Sequence, residues 1–414
     1  MKALKLNRTY EILFVGILLI SFALWLGTIL FIDGQTGCQY RLFYGETWDF
    51  LADLLNPIGY ASERDPYNNT MFTGTYAKQQ PPLQYLLTYP FIKTVSMGPF
   101  WKANNFRDIF HVSTFMIILL ILLLLLFVLA FFLISTRKKG GRVLSGATAI
   151  AILFSGPMLY TLERGNSVIL VPFLCLLFLI YRNSKKAWLR ELSIISLAFA
   201  AGLKLIPAVL GLILIYEKKW KMAIRAIIYG IAVVFLPFII FKGGFSNFPL
   251  MLRNMREYME LFTYNEIGVS IRDVLNWIGG VSGAEIPHAI GYLLVIISTI
   301  AFLAGGFFAK KEWLRYLFLC LPMLSVPGHQ GLYCIVYLIP VIIEFLNTEN
   351  HNSSDFVFFL GIIIAFIPYQ FPFLSQFSAF EIGMITIYIF AIYKSLQICF
   401  DGSRSLFHHY KMIV

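Results

Sequence analysis

Long apolar segments recur along the whole chain, and they restrict its possible folds more than any other feature. A helix that crosses the hydrocarbon core of a bilayer needs about twenty apolar residues. Charged residues make up only 13% of the sequence, against roughly 25% in a soluble domain, and the mean hydropathy is +0.74. This composition excludes a soluble protein and predicts a polytopic, all-α membrane protein. The clear spans are 11–32, 109–134, 143–162, 168–181, 223–241, 286–309, 356–373 and 384–400.

The first apolar run follows Lys2, Lys5 and Arg8, as the core of a signal peptide would. It is too long for that core, and no small-residue cleavage pattern follows it, so we expect an uncleaved anchor. The five cysteines are scattered, and only Cys38 is expected outside the bilayer. They therefore predict no disulfide or metal framework.

Basic residues are concentrated in short loops between the spans, at 137–142, 182–190, 218–225 and 310–315. The positive-inside rule places each loop in the cytoplasm, so the net charge of +11 reflects topology and does not indicate a nucleic-acid partner.

Two segments are predicted to fold back on themselves. The segment 193–216 has basic residues on both flanks, so it should enter and leave the membrane on one side, with a hinge at Lys204–Pro207 because proline breaks a helix. The segment 316–345 requires a similar hinge at 325–331. The result is one domain over 1–414, with about twelve membrane or half-membrane helices and both termini inside.

Two long loops are expected outside the cytoplasm, at 33–107 and 242–285. The stretch 85–101 within the first is apolar but broken by Pro90, Lys93 and Gly98, which favours an interfacial helix. The acidic stretch 346–355 is placed inside and contains no Lys or Arg, so the positive-inside rule does not support that placement.

The first external loop contains Asp49 and Asp53, four residues apart and therefore on one face of a helix. Repulsion between two such carboxylates would raise the pKa of the less solvated one, as suits a proton acceptor. The neighbouring Trp48 and Phe50 would anchor the helix at the bilayer surface. The alternative is a solvated helix face just beyond a membrane helix.

Several short motifs follow one another in an order that resembles glycosyltransferase family 87. That family belongs to the GT-C superfamily of polytopic transferases that use lipid-phosphate sugars, mannose among them. The resemblance covers most of the chain from Asp49 to Pro340 and implies a GT-C-like helical bundle. The motifs are Asp49-Phe50, Asp65-Pro66-Tyr67, Pro81-Pro82-Leu83, Gly165-Asn166, the lysine–proline break at 202–207, residues 265–270, and Pro327-Gly328-His329.

The resemblance implies that Asp49 is the general base of an inverting transfer that needs no metal and no cofactor. The family's interval to Tyr67 selects Asp49 over Asp53, which would tune the base or bind the acceptor. Gln80 stands where an aromatic residue is common in the family, which leaves the sugar open. The residues expected to bind substrate are Asp53, Asp65, Tyr67, Gln80 and Asn166.

Three basic side chains are candidates for the donor phosphate. Lys204 lies in an apolar run, where a charge costs about 2.5–3.5 kcal/mol at mid-bilayer, so it should face a cavity and an anion; the alternative is a lysine that extends to the membrane surface. Arg164 and His329 are expected on the same external side. Arginine suits bidentate phosphate contact, and histidine can donate a hydrogen bond or protonate the leaving group. Arg164 could instead be an interfacial arginine, and His329 a lone hinge histidine.

These observations predict a multi-pass enzyme of the cytoplasmic membrane with its active site on the outer side. It would move one hexose, such as mannose, from a polyprenyl phosphate to a glycolipid or glycan. A flippase of lipid-linked sugars is the first alternative, but its charged residues should line a path to both faces, whereas the candidates here gather on one. The second alternative, an O-antigen-type polymerase or ligase, usually carries its Arg and His residues in one large late loop.

Overall fold

The computed structural model of the chain describes residues 2–31, 51–61, 64–68, 77–91, 113–261, 268–283, 286–327, 330–368 and 379–411. Regular structure in these ranges is entirely helical, which confirms the predicted all-α fold. Two predicted site residues, Asp49 and His329, lie outside the described ranges, as does Cys38.

Some of the helices are long and continuous, and others are short and joined by tight turns. Those of the first half are α1 (Lys2–Phe31), α2 (Ala52–Ala61), α3 (Pro82–Thr88), α4 (Ser113–Arg137), α5 (Arg142–Leu153), α6 (Gly156–Arg164), α7 (Leu170–Tyr181), α8 (Ala187–Leu203) and α9 (Leu212–Tyr216). Those of the second half are α10 (Trp220–Phe235), α11 (Asn247–Leu261), α12 (Ile271–Ser282), α13 (His288–Phe308), α14 (Glu312–Ser325), α15 (Ile339–Asn347), α16 (Asp355–Phe366) and α17 (Ala379–Lys411).

Five helices in the described residues are long and apolar enough to cross a membrane, so the chain is a polytopic membrane protein. On α10, for example, Ile224, Ile227, Ile228 and Ile231 are all more than half exposed. Their spacing places them on one stripe of the helix, which suits contact with lipid. The five spans are Thr9–Thr28, Ile117–Arg137, Trp220–Ile240, His288–Phe308 and Phe380–Gly402.

Two of the predicted elements differ from the structure. The predicted single span 143–162 is two helices, α5 and α6, bent by 50°. The bend follows from Pro157 in the first turn of α6, because proline donates no backbone hydrogen bond. The interfacial helix predicted at 85–101 begins earlier and is short: α3 is followed by the 3-10 turn Tyr89–Phe91, and residues 92–101 lie outside the described ranges.

The first predicted hinge is present. Helix α8 ends at Leu203, Lys204 is extended, and the chain continues through the 3-10 helix Ile206–Gly211 into α9. Arg182 precedes α8 and Glu217 follows α9, yet their side chains form a salt bridge of 3.0 Å. The two flanks of the segment therefore meet at the same end of the molecule, as the basic flanks predict.

The two flanks of the second hinged segment also meet at one end of the molecule. Arg137 lies 2.7 Å from Glu344 at the end of α15 and 3.8 Å from Glu312 at the start of α14. Arg182 also reaches Glu312, at 3.2 Å. We call the face formed by these ion pairs the basic face.

The acidic stretch 346–355 belongs to the basic face too. Asp355 forms a salt bridge of 3.1 Å with Lys311, which lies in the loop before α14. The partner of Asp355 is therefore on another loop, so the sequence around Asp355 could not reveal it.

Candidate active site

The candidate site forms at the end of the molecule away from the basic face, where the turn between α6 and α7 meets α2. Gly165 ends α6 in the left-handed conformation, with a φ of 62°. Asn166 caps the next turn, accepting a hydrogen bond on its side chain from the Val168 N–H at 2.9 Å. A tight turn with both caps fixed holds Arg164 and Asn166 towards α2.

Asp53, in the first turn of α2, receives the polar groups of that turn. Arg164 donates from Nε to Asp53 Oδ2 at 3.0 Å and from Nη2 to Oδ1 at 3.1 Å, and Asn166 Nδ2 donates to Oδ2 at 2.8 Å. Burial raises the pKa of Asp53, while the hydrogen bond from Asn166 and the charge of Lys204 oppose that shift. The paired donors compensate the desolvation of a carboxylate held in a fixed orientation.

Helix α2 is also attached to the turn through its backbone. The Leu51 N–H donates to the Glu163 carbonyl at 2.8 Å, and Leu51 has a φ of 55°, which is unusual for leucine. A Cβ at Gly165 would lie 2.8 Å from the Leu54 Cβ, so only glycine allows α2 to approach this closely. The packing of α2 against Gly165 and the hydrogen bonds of α2 and Asp53 therefore both fix the position of the Asp53 carboxylate.

Lys204 lies at the first hinge and contributes a second positive charge. Its Nζ donates to Gln80 Oε1 at 2.8 Å, and Tyr67 Oη donates to the Gln80 carbonyl at 3.0 Å. Within the described ranges no carboxylate lies in salt-bridge distance of Lys204, although its charge interacts with that of Asp53. The contact that orients this lysine in the described ranges is therefore one with a neutral amide.

The second hinge forms another wall of the site. Tyr333 and Cys334 follow it in the 3-10 helix Leu332–Leu338, and the Tyr333 ring stacks on that of Tyr160 in α6 with the centroids 6.1 Å apart. The Cys334 thiol donates to Gln330 Oε1 at 2.7 Å. The sequence analysis missed both residues because nothing in their local pattern points to a site.

A capping box secures the second hinge. Ser270 and Asp273 cap α12 reciprocally, and Asp273 Oδ2 also accepts from the Gln330 N–H at 3.3 Å. The Val269 N–H donates to the Gln330 carbonyl at 2.8 Å. The Ser-x-x-Asp pattern is a recognisable helix-start signal, so this element could have been found from the sequence.

The predicted site residues divide into four groups. Asp53, Arg164 and Asn166 are in direct contact, and Lys204, Gln80 and Tyr67 form a neighbouring chain of contacts. Asp65 Oδ1 accepts from Asn68 Nδ2 at 2.8 Å in an exposed turn. Asp49 and His329 lie outside the described ranges, so their assignments stay predictions.

An apolar cavity of about 570 Å³ lies beside the Asp53–Arg164 pair. Leu51 and Glu163, which neighbour that pair along the chain, both line it. Glu163 was missed as a candidate because the sequence showed only a short polar loop. For metals, no group of three or more His, Cys, Asp or Glu side chains in the described part of the chain is placed to hold an ion.

The family model described as glycosyltransferase family 87 matches residues 81–326, more than half of the chain. The matched region contains Arg164, Asn166 and Lys204, whereas Asp49, Asp53 and His329 lie beyond its ends. No curated protein and no solved structure matches the chain.

Proposed function

Because this chain belongs to glycosyltransferase family 87 and is therefore a membrane glycosyltransferase, we propose that it transfers one hexose, such as mannose, from a polyprenyl phosphate to a glycolipid or glycan. The reaction takes place on the outer side of the cytoplasmic membrane. The donor, the acceptor, the sugar and the side of the membrane are all part of this proposal.

The observation that carries the proposal is the convergence of two differently held cations at one end of the bundle. Lys204 is bonded to a neutral amide, and Arg164 is bonded to Asp53. A lipid-phosphate leaving group develops negative charge as the sugar departs, and a positioned cation stabilises it. Lys204 is the better phosphate ligand, because no carboxylate in the described ranges neutralises it at close range.

The transfer itself is a single displacement. The acceptor oxygen forms a bond to the anomeric carbon while the bond from that carbon to the phosphate oxygen breaks, and the polyprenyl phosphate leaves with the electron pair. The proton of the acceptor hydroxyl passes to a carboxylate, and the configuration inverts. No metal takes part in this proposal.

Asp49 is the proposed base, and Asp53 is a positioning residue. Both oxygens of Asp53 already accept hydrogen bonds from Arg164 or Asn166. A base needs an oxygen directed at the acceptor hydroxyl, and these contacts direct Asp53 at the protein. The spacing between the base and the tyrosine in the family, here from Asp49 to Tyr67, supports Asp49 as the general base.

The test uses the full chain in nanodiscs with synthetic polyprenyl-phosphate mannose and total membrane lipid as acceptor, with products identified by mass spectrometry. Asp49→Asn should slow transfer by about a hundred- to ten-thousandfold, the usual contribution of a general base. Glu260→Gln is the matched control, since this carboxylate on α11 is 63% exposed and pairs with Arg256 one turn away on the same helix.

Two results would contradict the proposal. A wild-type rate for Asp49→Asn together with an inactive Asp53→Asn would move the base to Asp53. Passage of intact lipid-linked sugar across the bilayer without transfer would favour the flippase.

A further inference from the structure

The apolar cavity beside the site opens towards the outer surface of the helix bundle. It lies between α1, α4, α5, α6 and α7, and its volume falls in the range of roughly 300–1,000 Å³ typical of ligand sites. Leu120 and Leu124 of α4 line it, and both are more than half exposed on the outer surface of the helix bundle. A hydrocarbon chain could therefore enter it directly from the bilayer.

Glu163 is the one charged residue among the described residues that line this cavity. Its Oε2 is buried and has no hydrogen-bond partner within the described ranges. A buried polar oxygen left without a partner costs about 1–3 kcal/mol, so the arrangement calls for a ligand with a hydrogen-bond donor. The remaining lining residues are apolar.

The end of the cavity at Glu163 adjoins the candidate active site. Leu51 lines the cavity, donates its N–H to the Glu163 carbonyl and lies two residues before Asp53. Glu163 itself precedes Arg164. A molecule whose chain fills the cavity would present its polar end next to the Asp53–Arg164 pair.

From these observations we infer that the cavity binds the hydrocarbon chain of the acceptor, a lipid whose neutral head group carries hydroxyls, and that Glu163 accepts a hydrogen bond from one of them. This inference rests on the proposed function and narrows its acceptor to a lipid. The chain of the donor is disfavoured here, because none of the described residues that line the cavity is a cation for its phosphate. Lys204 offers that phosphate a site on another element.

Binding is measured first, because it does not depend on transfer. Trp25 lines the cavity, so a hexadecyl mannoside with a brominated chain should quench the fluorescence of Trp25 in nanodiscs. The quenching lost in Trp25→Phe gives the part that is due to this tryptophan. Leu123→Trp should fill the cavity. Added to Trp25→Phe, it should abolish the binding of radiolabelled hexadecyl mannoside that unlabelled mannoside can displace, and Trp25→Phe alone is the reference. Leu125→Trp is the control, since this residue is 60% exposed on the same helix and does not line the cavity.

The head group and the chain are then tested separately. Glu163→Gln should retain binding, because its amide oxygen still accepts a hydrogen bond, whereas Glu163→Leu should weaken binding about tenfold, the loss of one hydrogen bond. With polyprenyl-phosphate mannose as donor, octyl mannoside should be a poorer acceptor than hexadecyl mannoside in the wild type. That preference should disappear in Leu123→Trp, while the KM of the donor stays unchanged.

Several results would overturn the inference. Displacement of the brominated mannoside by polyprenyl phosphate alone would show that the cavity holds the donor chain. Quenching that does not depend on Trp25, or binding unaffected by Leu123→Trp, would place the acceptor elsewhere. If transfer fails in the wild type while chain-dependent binding persists, the proposed function is wrong and the lipid site stands.

Discussion

The two cations of the site have different partners, and this difference separates their roles. Lys204 contacts the neutral amide of Gln80, and no described carboxylate lies at hydrogen-bond distance from it, so a bound phosphate would supply an anionic partner. Lys204→Gln should therefore raise the KM for polyprenyl-phosphate mannose by about ten- to a hundredfold, the value of one charge-assisted hydrogen bond. The measurement is steady-state kinetics at several ionic strengths, and an unchanged donor KM would show that the phosphate is bound elsewhere.

Arg164 should respond as one member of a pair with Asp53. Both side chains are about one-fifth exposed, so removing one partner leaves a poorly solvated charge. Asp53→Asn and Arg164→Gln should each lower the melting temperature and kcat, and the double variant should lose little more than either single one. The exposed pair Arg256 and Glu260 is the control, where the same substitutions should have small, additive effects. Additive losses at Asp53 and Arg164 would contradict the coupling.

At the scale of single residues, the sequence indicates candidates but not their partners, for a physical reason. Asp53, Arg164 and Lys204 stand out because charges are rare in apolar surroundings. The partners of those charges are distant in the sequence, since Arg164 follows Asp53 by 111 residues, and no local pattern encodes such contacts. Glu163 was missed because its significance comes from the cavity, which exists only once five helices have packed.

At the scale of elements, prolines were the sequence features that indicated where helices break. Pro207 predicted the hinge after α8, and Pro157 explains the bend that hydropathy alone concealed, since the apolar pattern continues through it. The approach of α2 to the turn between α6 and α7 could not be predicted, because it depends on a glycine of that turn packing against a helix elsewhere in the sequence.

That approach leads to a prediction about Gly165. An alanine there would adopt a left-handed conformation at a cost of about 1–2 kcal/mol, and its Cβ would clash with Leu54 at 2.8 Å. Gly165→Ala should thus displace α2 and reduce transfer more than Gly244→Ala, which shares the positive φ but meets nothing within 4 Å. Circular dichroism melting and kcat distinguish the two, and equal effects would show that strain alone matters.

At the scale of the whole molecule, ion pairs gather the basic loops at one end and leave the candidate site at the other. Lys138 pairs with Glu11 of α1 at 3.1 Å, and both side chains are buried. Together with the pairs made by Arg137, Arg182 and Lys311, this contact ties distant loops into the basic face. The positive-inside rule predicts that this face is cytoplasmic.

Cysteine labelling tests this arrangement. In a chain whose five native cysteines are replaced by serine, Lys185→Cys, Lys221→Cys and Lys310→Cys should react with a membrane-impermeant maleimide only after cells are opened. Lys242→Cys and Arg253→Cys should react in intact cells, because the span Trp220–Ile240 carries the chain about 30 Å from one face to the other. All five positions are exposed in the structure, so a lack of reaction reports sidedness and not burial.

The decisive comparison is between Lys185 and Lys221, which flank the first hinged segment. The salt bridge between Arg182 and Glu217 requires these positions to react from the same side. Reaction from opposite sides would mean that α8 and α9 form one crossing, and Lys204 would then lie within a membrane helix with no outer cavity to face. Reaction of all five positions from one side would instead show that α10 does not span. Only the expected pattern places Lys204, Arg164 and Asp53 together at the outer surface, where a lipid-phosphate sugar and a lipid acceptor could meet.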